Sequence, residues 1–371
     1  MANTKKTNKE PLFHIVKRDN MSWPKRLLIY AIAIIIGFLI TSVFCAVSNE
    51  KGKGVWDMFI SVYKGSFGTE RKIWIFLQEL ALLLGVSLAI LPSFKMKFWN
   101  LGANGQVLIS CLACYACMYY GDKAGASPNF IIPLMIICSI SAGVIWAVIP
   151  AIFKALFKTN ESLFTLMMNY LAVGLVSVFI TIWFPKGSGS VKPINTIVLP
   201  DIYKKQVLTL IVVSVLTVFM TLYLKMSKQG FEVSLVGESE NTARYVGINV
   251  KKVVIRTLIL SGIICGIIGL LLVGSINHSV NENMANNRGF TAIMTAWLAK
   301  FNPLAMILTC GLITFISNGM SQVRMDFGFY NNALSNIILG VIYFFIIGCD
   351  FFITYKIVFR KKAKKQKKEV N

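Results

Sequence analysis

Polar side chains interrupt an apolar region of this chain in the sequence WNLGANGQVLIS, residues 99–110. Asn100, Asn104 and Gln106 carry amides, and Gly102 separates the first two. Amides are costly inside a membrane unless they are paired or face water. For Asn104 and Gln106 two roles stay open: they line a path for a polar substrate, or they only hold helices together.

Other polar groups inside apolar runs are few. Asn169 lies in LFTLMMNYLAVGL, residues 163–175, where a helix-joining role is favoured over a path role. Glu79 and Asp350 are the carboxylates within apolar runs. Glu79 is consistent with a neutral buried acid, a path residue or an interface residue. Because ion-coupled secondary transporters need buried carboxylates, that class is the alternative interpretation of this chain.

The sequence contains no arrangement typical of catalysis or metal binding. Cys111, Cys114 and Cys117 form a CxxCxxC pattern, but in a membrane helix this spacing favours a packing face over a metal site. The chain has 2 histidines and no GxxxxGK[ST] phosphate loop. We therefore expect no catalytic residue, no metal and no cofactor.

The composition indicates a membrane protein. Of the 371 residues, 56% are hydrophobic and 15% charged, whereas soluble domains have about 25% charged residues. The net charge of +22 does not indicate nucleic-acid binding, because the basic residues form no groove-like cluster with interleaved aromatics. They lie in short segments between apolar runs and at the termini, as expected of flanks that face the cytoplasm.

The apolar runs predict an all-α polytopic bundle of about eight to ten transmembrane spans. Two short runs near residue 300 form either a thin hairpin or a re-entrant pair, so ten is the upper count. The predicted spans are 27–47, 73–92, 103–120, 130–153, 162–184, 206–226, 253–276, 290–300, 303–319 and 333–356.

The basic residues also predict the orientation. With both termini in the cytoplasm, 25 of the 38 lysines and arginines lie in inner segments and 12 in outer ones, in accord with the positive-inside rule. The predicted organisation is a cytoplasmic N-terminal segment (1–26), a transmembrane domain (27–356) and a basic cytoplasmic tail (357–371).

The longest inner loop, residues 228–252, contains regularly spaced apolar residues and is not predicted to be disordered. Acidic residues around Ser239 favour a helix start, and Gly247 is a plausible helix stop. Glu238 and Glu240 would be repelled by anionic lipid, so docking to a cytoplasmic partner is favoured over lipid anchoring. A simple connecting loop is the alternative.

This loop resembles the coupling segment of ABC-transporter permeases of the simple-sugar, nucleoside and branched-chain amino acid class. The resemblance lies in FEVSLVGESENTARYVGINVKK, although Ser234-Leu235 replaces the Arg-Ala that relatives usually have. The matching residues are Gly237, Glu238, Asn241, Ala243, Arg244, Tyr245, Gly247 and Ile248.

Three further stretches resemble motifs of the same family, in one order over residues 73–345. FWNLGANGQVLIS resembles its Phe-Asn-(Ile/Leu)-Gly-x-x-Gly-Gln element, with Asn104 where many relatives carry Glu. ESLFTLMMNYLAVGL resembles its Thr-Leu-Met-(Leu/Met)-Asn-Tyr element, and NNRGFTAIMTAWLAKFNPLAMIL its Arg-Gly-Phe and Asn-Pro element. The combination is most similar to nucleoside or simple-sugar permeases.

The resemblance implies the permease subunit of an ATP-driven importer in the bacterial plasma membrane, moving nucleosides or related simple sugars. It implies as partners a separate ABC ATPase, a second permease (identical or different), an extracytoplasmic substrate-binding lipoprotein and membrane lipid, but no nucleic acid. Residues 237–248 would dock to the ATPase, and the outer loop 186–205 would receive the binding protein. The expected substrate-path residues are Asn100, Gly102, Asn104, Gln106 and Asn169.

Overall fold

The computed structural model describes residues 13–18, 22–48, 51–184, 189–200, 203–329 and 332–359. The basic run 360–368 and the beginning of the N-terminal segment lie outside these residues. The described chain is almost entirely helical, and α10 continues into a π-helical turn, Leu272–Asn277. The elements are β1 (Phe13–Lys17), α1 (Trp23–Ser48), α2 (Val55–Phe67), α3 (Glu70–Lys95), α4 (Ala103–Lys123), α5 (Pro128–Phe157), α6 (Glu161–Trp183), α7 (Lys205–Met226), α8 (Lys228–Glu238), α9 (Glu240–Tyr245), α10 (Val250–Leu271), α11 (Arg288–Leu298), α12 (Pro303–Phe327), α13 (Asn332–Thr354) and β2 (Tyr355–Phe359).

Each of the ten predicted spans coincides with a helix that begins no more than four residues from the predicted start. Seven of the described helices are long and apolar enough to cross a membrane by length and composition, and α4 and α11 are not among them. At about 1.5 Å per residue, the 11 residues of α11 extend about 16 Å, too short for a hydrocarbon core of about 30 Å. The structure thus confirms an all-α polytopic bundle.

The described residues form two compact units: those up to residue 65 together with those from residue 319 onward, and those between residues 66 and 318. In the first unit, α1 packs against α13. The strands β1 and β2, which the apolar pattern did not predict, pair antiparallel, with Phe13 opposite Phe359. Where α2 approaches the C-terminal part of α12, the hydroxyl of Ser61 donates to the Asp326 carboxylate at 2.6 Å.

In the second unit, α4, α5 and α10 pack closely because small residues line their contacts. A Cβ atom added to Gly262 of α10 would lie 2.6 Å from the Cα of Val144 in α5, so only glycine fits there. Nearby, the Ser139 hydroxyl donates to the carbonyl oxygen of Gly266 at 2.9 Å. These contacts bring the helix backbones together around the polar start of α4.

The cysteine run belongs to this packing. Cys111 and Cys114 are fully buried in α4, and the Cys111 thiol donates to the Gly269 carbonyl of α10 at 3.6 Å. This arrangement supports the packing interpretation of the CxxCxxC pattern.

Candidate functional site

The start of α4 lies inside the second unit, as the sequence of residues 99–110 predicts. The helix begins at Ala103, and Asn100 of the preceding turn donates to the hydroxyl of Ser261 in α10 at 3.2 Å. Ser261 is eleven residues beyond Val250, about 17 Å along α10. The polar segment therefore sits about halfway along a membrane-length helix and does not form a surface loop.

A buried amide network joins this turn to α10. The side-chain oxygen of Asn100 accepts hydrogen bonds from the Gly102 backbone N–H at 3.1 Å and from the Gln106 amide at 3.4 Å. Ser261 in turn donates to the side-chain oxygen of Gln106 at 3.1 Å. Asn100, Gln106 and Ser261 thus form hydrogen bonds with one another. This buried network fixes the conformation of the turn before α4.

The other side of the turn is held by α6. Asn169 accepts the Gly105 N–H at 2.8 Å and donates to the Leu101 carbonyl at 2.7 Å. The hydroxyl of Thr165 accepts the Leu101 N–H at 3.1 Å. Side chains of one helix thus replace the intrahelical partners that the first residues of α4 lack.

Asn104 links α4 to α11. Its side-chain oxygen accepts the backbone N–H of Gly289 at 2.7 Å. An added Cβ on Gly289 would lie 2.9 Å from the Asn104 backbone nitrogen, so glycine permits this close approach. Within the described residues, the Asn104 NH₂ group has no hydrogen-bond acceptor, and its two donors remain free for another group.

The structure therefore brings all five predicted path residues together at one level of the bundle, and all five are buried. The hydrogen bonds of these residues join neighbouring helices, which is one of the two roles that the sequence left open for the amides. Whether any of them contacts substrate stays a prediction.

Glu79 has a partner that sequence reasoning missed. Arg288, the first residue of α11, donates to the Glu79 carboxylate of α3 at 2.6 Å and to the Met284 carbonyl at 3.2 Å. Arg288 is the only lysine or arginine between Lys205 and Lys300 outside the segment 225–256, and this isolation could have marked it in the sequence.

The predicted coupling segment consists of two helices, α8 and α9, where the sequence predicted one. Ser239 separates them and caps α9 by accepting the Thr242 N–H at 3.3 Å. The predicted stop is confirmed: Gly247 has φ +84, and Ile248 N–H bonds back to the Ala243 carbonyl at 2.9 Å. This left-handed glycine termination is a Schellman motif.

Residues of the coupling segment divide between a buried and an exposed side. Ala243 is fully buried in a cluster with Val233, Val236 and Val253, and Gly237 is buried against α3. Ile248 is half-buried. The exposed residues are Glu238, Asn241, Arg244, Tyr245 and Gly247, with Tyr245 91% exposed. The buried side fixes α9, and the exposed side is free for a partner.

An ion pair ties α8 to α10. Arg256 donates to the Glu232 carboxylate at 2.9 Å, and both side chains are partly buried. Together with the contact between Gly237 and Lys95, this pair attaches the coupling segment to two long helices. The helix α8, which directly precedes α9, is therefore anchored to both α3 and α10.

Comparisons with known proteins show the family to which the chain is similar. The family described as branched-chain amino acid transport system, permease component, matches residues 73–347. The guanosine ABC transporter permease protein NupP of Bacillus subtilis is 24% identical over 329 residues, covering 86% of this chain and 92% of that protein. The nucleoside ABC transporter permease protein NupB of Lactococcus lactis is 25% identical, covering 81% and 86%. The glucose ABC transporter permease protein TsgB13 of Haloferax volcanii is 27% identical, covering 81% of each chain.

Proposed function

The chain belongs to the family of permease components of branched-chain amino acid transport systems, and on this premise we propose that it moves nucleosides or related simple sugars. As an ABC permease it is a multi-pass protein of the cell membrane and the transport subunit of an ATP-driven importer. The observation that supports the substrate class is the similarity, over more than four-fifths of the chain, to permeases named for guanosine, nucleosides and glucose.

Membership in this family implies an ATPase and a substrate-binding protein as partners. In our proposal, ATP hydrolysis occurs on the separate ATPase, both chain termini face the cytoplasm, and a second permease, identical or different, completes the membrane part. Extracytoplasmic binding protein would dock near the loop that contains Val191 and Leu199. Backbone hydrogen bonds from these residues to Val280 and Gly274 support an ordered surface there.

The exposed side of α9 is the proposed ATPase contact. Tyr245 and Val246 project apolar surface, and the guanidinium of Arg244 lies 3.5 Å from Glu240, both well exposed. An exposed ion pair of this kind contributes little to stability. Arg244 is therefore available to carboxylate or carbonyl groups of the ATPase at small cost to this chain.

The start of α4 is the proposed path segment. Asn100, Gly102, Gln106 and Asn169 would position the turn, and the free NH₂ group of Asn104 would face the substrate. Gln106→Leu should lower the uptake rate more than the amount of assembled complex. A variant that assembles normally and transports at the wild-type rate would restrict Gln106 to holding helices together.

Reconstitution tests the function as a whole. The chain, purified with its ATPase, is placed in liposomes with the binding protein, and uptake of labelled guanosine, uridine and glucose is measured with ATP or a non-hydrolysable analogue. We expect uptake of at least one nucleoside or glucose that requires both hydrolysable ATP and the binding protein. Uptake driven by an ion gradient without ATP would instead support a secondary transporter.

A further inference from the structure

The Glu79–Arg288 ion pair lies deep in the membrane-spanning part of the protein. Glu79 is nine residues beyond Glu70, the first residue of α3, so it lies about 14 Å along a helix of about 39 Å. For a hydrocarbon core of about 30 Å, this depth is well inside the lipid-tail region. Charged groups at such depth are expensive unless they face water or polar protein groups.

The carboxylate of this pair is not fully enclosed. The Arg288 side chain is 11% exposed, but that of Glu79 is 29% exposed. Lipid tails cannot solvate a carboxylate, so the exposed edge of Glu79 must face an aqueous or polar region. Stability alone does not explain the pair, because the desolvation of two charges offsets most of their attraction.

The residues around the pair carry further polar and aromatic groups. Asn104 is joined to Gly289, the neighbour of Arg288, and its NH₂ group has no acceptor among the described residues. Asn287 is exposed at the start of α11 with φ +53, and Phe290 is 39% exposed one turn further. A carboxylate from α3, an amide donor from α4, and an amide and an aromatic ring at the start of α11 are the groups that sugar recognition uses.

We propose that Glu79, held in place by Arg288, accepts hydrogen bonds from vicinal hydroxyls of the substrate's sugar ring as it passes α11. Arg288 occupies one side of the carboxylate and leaves its exposed oxygen edge to the substrate. Asn104 donates from α4 on the neighbouring side. Ribose in a nucleoside and a free hexose share this diol chemistry, so the site does not distinguish them by itself. This inference rests on the proposed function.

The test uses the complete reconstituted complex and compares guanosine, 2′-deoxyguanosine and glucose. Deoxyguanosine lacks the vicinal pair of hydroxyls, and the contribution of the binding protein cancels when each variant is compared with wild type. For E79Q we expect the ratio of guanosine to deoxyguanosine uptake to fall about tenfold, since a hydrogen bond to a charged acceptor is lost. A fall in glucose uptake with an unchanged guanosine ratio would support the same contact with a free sugar.

Two further variants separate substrate contact from structure. E79Q/R288Q removes both charges, so no buried charge is left unpaired. It should show the same fall in the ratio of guanosine to deoxyguanosine uptake as E79Q. E161Q removes the carboxylate of the Lys154–Glu161 pair, which has the same 2.6 Å separation, and should leave the ratio unchanged.

Two sets of results would contradict a contact between Glu79 and the substrate. An unchanged guanosine ratio and unchanged glucose uptake in both Glu79 variants would overturn the inference, as would equal losses for all three substrates. If the wild-type complex transports neither nucleosides nor glucose, the proposed function is wrong and the inference fails with it.

Discussion

Gly237 of α8 lies directly against the main chain of Lys95 at the end of α3. A Cβ atom on Gly237 would overlap the Lys95 carbonyl oxygen and would lie 3.2 Å from the Cα of Met96. Because no side chain separates the two backbones, a movement of α8 toward α3 cannot be absorbed by the rearrangement of a side chain. The turn that follows leads within a few residues to the start of α4. The two predicted sites are therefore connected through backbone contact.

Gly237→Ala should disrupt this connection. The added methyl group overlaps main-chain atoms that cannot rotate away, and we expect about 1–3 kcal/mol of destabilisation together with reduced coupling of ATP hydrolysis to uptake. ATP hydrolysed per substrate transported is the measurement. Gly174→Ala is the matched control, because a Cβ on Gly174 in α6 meets nothing within 4 Å and alanine favours a helix. Wild-type coupling in Gly237→Ala would contradict the proposed mechanical contact.

Tyr245→Ala should weaken the association of the ATPase without affecting the fold of the permease. Its side chain is 91% exposed, so its removal costs the isolated chain little, whereas exposed aromatic residues contribute strongly to interfaces. Pull-down of the ATPase with tagged permease, in the absence of the binding protein, measures the effect. Tyr203→Ala, at a tyrosine that is 77% exposed before α7, is the control. Equal ATPase binding in both variants would argue against α9 as the contact.

Gly247→Ala should loosen α9 itself. At φ +84 a residue with a Cβ is strained, and we expect a cost of about 1 kcal/mol, with Gly247→Pro more damaging because proline lacks the N–H that bonds to Arg244. Uptake and stimulated ATP hydrolysis should fall, while substrate binding by the external protein is unchanged. Gly247→Asn should retain most activity, since asparagine tolerates this conformation better. Full transport by Gly247→Pro would rule out a coupling role for α9.

Asn169→Leu should destabilise the start of α4. The substitution leaves the Gly105 N–H and the Leu101 carbonyl without their partner, at about 1–3 kcal/mol for each buried group. Thermal unfolding of the detergent-solubilised complex measures the loss. Thr181→Val on the same helix removes only a local, exposed hydrogen bond to Ser177 and should be nearly neutral. Similar unfolding temperatures for the two variants would show that the turn does not depend on Asn169.

Local sequence predicts much of this fold because span length and apolar composition are local properties. The start of α4 at Ala103 follows from glycines and amides placed before an apolar run. By contrast, α2 is short and contains Asp57 and Lys64, so no apolar run marks it. The coupling segment divides into two helices at Ser239, where one hydroxyl caps the second helix. The residues on both sides of Ser239 have a helical pattern, so the sequence predicted a single helix.

Pairings between distant residues were not predictable in the same way. Glu79 and Arg288 are 209 positions apart, and nothing in the sequence around either residue indicates the other. Asn169 and Gly105 are 64 positions apart, and their contact depends on how α6 crosses the turn. Composition identifies such residues as unusual, but only the packed helices determine their partners.

The polar start of α4 also constrains how the protein is made. α4 is not among the helices apolar enough to qualify as a span on their own, and most of its residues are buried by neighbouring helices. Ser261, which completes the contact with Gln106, is synthesised 155 residues later. During biosynthesis the hydrogen-bond network around Gln106 therefore cannot form completely until α10 has been made. A nascent chain that stops short of α10 lacks Ser261, so the side-chain oxygen of Gln106 is without the donor that it has in the finished protein.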